Sequence, residues 1–120
     1  MNLQNNPVVE EILYQGLTDW IGLTTVVSLI EEEAADATPE GVKAETLRLI
    51  RYLLDEGLAR AGELSNSAFD SGDFLDWPGD TAMILGRITS DWEDLTSLDH
   101  FEPCWLRLTD RGREIAQALG

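Results

Sequence analysis

Positive charge is scarce in this chain: eight lysines and arginines stand against 23 aspartates and glutamates, with one histidine. Cysteine is scarcer still. Cys104 stands alone and cannot close an internal disulfide, so the core must hold the fold, as suits a reducing cytoplasm. No apolar run approaches the roughly 20 residues of a membrane span. The first residues, MNLQNNPVVEE, have neither a basic nor an apolar segment of the kind a signal peptide needs. A soluble, cytoplasmic protein without a membrane partner is expected. Also missing are a glycine-rich phosphate loop, a zinc-ligand cluster and an HExxH helix, so no cofactor and no metal site are expected. Asp70, Asp73 and Asp76 are spaced by three, and the twelfth position counted from Asp70 is Thr81, which does not match a calcium loop. His100 and Cys104 are four residues apart, but no third group is placed to orient the imidazole. The residues point away from an enzyme.

What is present is a hydrophobic content of 43% in 120 residues, enough for one domain with its own core over residues 1–120. The net charge of −15 is unevenly spread. Residues 1–38 carry seven acids and no base, residues 39–62 are neutral, and residues 63–106 carry ten acids and only Arg87. Residues 107–120 are slightly basic.

Hydrophobic spacing outlines the elements. Asn6-Pro7 opens a helix that buries Val9, Ile12 and Leu13 and ends near Gly16. Trp20–Leu23 reads as a brief strand. Thr24 or Thr25 then caps a helix through about Ala35, burying Val26, Leu29 and Ile30. Thr38 and Pro39 start a central helix with Val42, Leu47, Ile50 and Leu54 on its buried stripe, and Gly57 ends it in the left-handed conformation. Leu58–Ala61 follows as a strand. Residues 63–80 are rich in turn formers, with Phe69, Phe74 and Trp77 among five acids. Asp80 or Thr81 caps a helix to about Leu95 that carries Ile84, Ile88 and Trp92 inward, widened by Met83. Cys104, Leu106 and Leu108 share one face of a further strand, Trp105 and Arg107 the other. Thr109 or Asp110 caps a last helix burying Ile115, Ala116 and Leu119.

Two junctions resemble a known scaffold. Leu53-Leu54-Asp55-Glu56-Gly57-Leu58-Ala59 is similar to the passage from third helix to second strand in bacterial winged-helix proteins. The segment from Leu106 through LTDRGRE resembles their strand-to-last-helix ending. The resemblance covers roughly two thirds of the chain, counting the two preceding helices, and names the superfamily, not a specific family. The expected fold is therefore mainly α with a small β-sheet (α+β), a single winged-helix-like domain. Typical members join the second and third strands by a short hairpin. Here residues 63–102 form an acidic insert with its own helix, placed between those strands.

Charge distribution directs the functional expectation. Glu31, Glu32 and Glu33 end the second helix, where the macrodipole disfavours each anion by about 0.3–1 kcal/mol. With Asp70, Asp73, Phe74, Asp76 and Trp77 of the insert they are the candidate partner-binding residues: carboxylates around an aromatic anchor. The expected partner is a basic protein, possibly a toxin. Small acidic proteins commonly act as cognate inhibitors of basic nucleic-acid-cleaving toxins, so an immunity-like inhibitor is the leading expectation, by analogy of size and charge. The chain itself is expected as a monomer or weak homodimer. The alternative is a DNA-binding transcriptional regulator using the helix at residues 39–56, with Lys43, Arg48 and Arg51 reaching the duplex. Few cations are available to neutralise phosphates, and Glu40 and Glu45 share the end of the helix that would enter the groove.

Overall fold

The computed structural model describes residues 6–34, 36, 38–64, 74–93 and 104–119. Among them the order is α1 (Pro7–Gly16), β1 (Ile21–Gly22), α2 (Leu23–Glu33), α3 (Pro39–Asp55), β2 (Ala59–Leu64), β3 (Phe74–Asp76), α4 (Thr81–Glu93), β4 (Trp105–Leu108) and α5 (Asp110–Leu119). The strands form one antiparallel sheet of order β1-β4-β2-β3 beside the helices, a mainly helical α+β architecture. No described helix is long and apolar enough to cross a membrane.

Helix starts follow the sequence with one exception. The Asn6 carboxamide oxygen accepts from the Val8 and Val9 amides, and the Thr38 hydroxyl oxygen accepts from the Gly41 amide at 3.0 Å. The exception is α2, which begins at Leu23 without a side-chain cap, so neither Thr24 nor Thr25 serves. The Leu23 amide instead donates to the Cys104 carbonyl at 3.0 Å, carrying the β1–β4 pairing straight into the helix. An orphan donor met by a strand has no need of a hydroxyl.

The buried stripe of α3 is rotated from the expected one. Val42, Thr46, Leu49, Ile50 and Leu53 are buried, whereas Leu47 and Leu54 are half-buried. Thr46 is tolerated there because its hydroxyl donates to the Val42 carbonyl at 2.8 Å. At the end of the helix the Gly57 amide donates to the Leu54 carbonyl and the Leu58 amide to the Leu53 carbonyl. These paired bonds form a Schellman turn; Gly57 supplies its positive φ of 71°, and buried Leu53 and Leu58 supply its apolar contact.

The same turn receives the last helix. The Thr109 amide donates to the Leu58 carbonyl, its hydroxyl donates to the Gly57 carbonyl, and its oxygen accepts from the Gly112 amide. A Cβ at residue 112 would lie 2.0 Å from the Leu58 carbonyl oxygen, so only glycine lets α5 approach this closely. Thr109 and Gly112 of the LTDRGRE segment are thus structural residues.

Strand β2 pairs with β4 in the register Ala59↔Leu108 and Ala61↔Leu106, setting small residues against large ones on the core face. The pairing of the second strand with Trp105–Leu108 matches expectation; β3 does not, because a three-residue strand carries too little pattern to be read. Further along, Ile84 and Ile88 of α4 are buried, but Met83 is 65% exposed. Leu119 is likewise 51% exposed, since Ile115 one turn earlier is already half out of the core. Phe69, Leu95, His100 and the ring of Trp92 lie outside the described residues.

Candidate functional site

The acidic end of α2 is laid open to solvent. Glu31, Glu32 and Glu33 are exposed, and none forms an ion pair among the described residues. Glu32 and Glu33 line a shallow groove of about 220 Å³ with Glu11 of α1, so three carboxylates from two helices share one recess. Its wall is partly apolar, formed by Pro7, Val8 and Leu29. Glu11 was not among the expected residues. Its helical spacing placed it on an outer face, but only the α1–α2 packing brings it beside Glu32.

The insert residues are placed differently. Asp70 and Asp73 lie outside the described residues. Trp77 is only 8% exposed: its amide donates to the Ala61 carbonyl and its indole N–H to Glu63 Oε1 at 3.1 Å. The Arg87 guanidinium sits 4.0 Å from the Trp77 ring centroid and donates to the same Glu63 oxygen at 3.2 Å. The ring is therefore a peg joining the insert to β2, not apolar area on offer to a partner. A tryptophan whose indole N–H finds an acceptor is commonly buried in this way.

Asp76 is also engaged within the fold. Arg107 grips it with two hydrogen bonds, of 2.8 Å from Nε and 2.7 Å from Nη2. This fork spans from β4 to β3 across β2, at the level of Gly62, which pairs with Asp76 on one side and Trp105 on the other. The fork holds the Asp76 carboxyl below the usual carboxylate range, with the charges of Arg107 and Arg60 adding and partial burial opposing. The bond to Asp76 raises Arg107 in turn. Asp76 also relieves a like-charge pair, because Arg60 and Arg107 stand directly opposite in the β2–β4 register.

Phe74 is half-buried on that same face. Its ring lies 5.7 Å from the ring of Trp20, tilted by 54°, and 5.8 Å from the Arg107 guanidinium. Trp20 and Arg107 had no assigned role in the sequence. The alternation of Trp105 and Arg107 marked this face, but the approach of Phe74 and Asp76 depends on β3.

On α3, Arg48 is ion-paired with Glu45 one turn before it, and Arg51 Nε lies 3.5 Å from Asp55 Oδ2. The first pair is partly buried and the second exposed, where it is worth little in stability, and with Glu40 and Lys43 the helix carries no net charge. Lys43 is half-buried on the same helix. Among the described residues no group of three or more histidine, cysteine or acidic side chains could hold a metal ion. No protein-family model, no curated protein and no solved structure matches this chain.

Proposed function

We propose that this chain is a non-enzymatic, winged-helix-like protein-binding module that engages a basic partner through its acidic α1–α2 end. One observation carries the reading: the carboxylates of Glu31, Glu32 and Glu33 are exposed without ion pairs among the described residues, while Arg48 and Arg51 of α3 stand beside acids of their own helix. An immunity-like inhibitor covering the cationic cleft of a toxin or nuclease is the concrete form. Carboxylates facing such a cleft accelerate encounter and set its orientation, and salt weakens both effects. The sheet order supports the winged-helix-like scaffold, with β1, β4 and β2 as the three framework strands and β3 added at the edge.

The test is charge reversal. The partner is captured from the native host with the full chain, and its association is followed by surface plasmon resonance at low and physiological salt. Changing Glu31, Glu32 and Glu33 together to lysine is expected to slow association by roughly tenfold or more at low salt, with the dissociation rate nearly unchanged. A mobility-shift assay on host genomic fragments runs beside it. Sequence-specific, salt-sensitive DNA binding lost in Arg48→Ala would overturn the protein-binding reading and favour a DNA-binding regulator.

A further inference from the structure

We draw no further inference here: the strongest candidate, the surface patch of half-buried rings (Trp20, Phe74 and Trp105) around the Asp76–Arg107 fork on the outer face of the sheet, carries nothing, because that fork is satisfied within the fold and nothing in the structure shows what covers the rings.

Discussion

Replacing Leu53 and Leu54 singly by alanine separates two adjacent residues that hydrophobic spacing alone ranks the other way, with Leu54 on the buried stripe. Leu53 is fully buried and gives both a side chain and a carbonyl to the turn that ends α3. Removing its isopropyl group takes apolar atoms from the buried turn beside Leu58 and leaves a void, so the cost should fall in the usual range of about 2–5 kcal/mol. Leu54 is half-buried and lines an open cleft with Trp77 and Ile84, where water can follow the lost atoms. Three carbons at roughly half burial, at about 0.8 kcal/mol per buried methylene, give a cost near 1 kcal/mol. Urea denaturation followed by circular dichroism reads both. With a slope of about 1.5 kcal/mol/M, Leu53→Ala should lower the midpoint by at least about 1.3 M and Leu54→Ala by about 0.7 M. Equal midpoints for the two variants, or a larger loss for Leu54→Ala, would refute the observed rotation of the helix.

Gly112→Ala gains about 1 kcal/mol of helix propensity but forces its Cβ against the Leu58 carbonyl; the clash should win, and thermal unfolding should show a lower Tm. Asp76 has its folded pKa depressed below its ordinary value of 3.8, so the stability it confers is complete above that value and fades as pH falls through the folded pKa. Carbon-detected NMR titration should find the Asp76 midpoint below 3.8 in wild type and shifted upward in Arg107→Leu; an unmoved midpoint would remove the fork as its cause.

Legibility followed the length scale of each interaction. The central helix, its glycine stop and the pairing of β2 with β4 rest on local caps and clear periodicity, and these were readable. So was the last helix with its Thr109 cap, although the sequence could not reveal that Gly112 is there for a close approach to Leu58. What escaped depends on tertiary neighbours. The Leu23 amide, next after the two-residue β1, donates to the Cys104 carbonyl just before β4 and displaces the expected threonine cap, and Thr46 enters the core because its hydroxyl is satisfied within one turn. Trp77 and Asp76 looked like surface recognition residues because nothing nearby in sequence pairs with them. Their partners Arg87 and Arg107 lie 10 and 31 residues further on.

The acids at the end of α2 set stability against association. Three consecutive glutamates occupy the C-terminal turn of a helix whose dipole repels anions, and among the described residues no cation compensates them. Changing Glu31, Glu32 and Glu33 to lysine replaces that repulsion by attraction and lowers the net charge from −15 to −9. The variant should therefore be more stable than wild type, by about 1 kcal/mol or roughly 4 °C in Tm at low salt, with the gain shrinking as salt screens it. Paired with slower association in the partner-binding experiment, that outcome identifies residues kept against the interest of the fold. A surface shaped only for solubility has no reason to concentrate its charge where a helix tolerates it least. If the variant lost stability instead, the glutamates would be holding the α1–α2 packing together, and their role would be structural.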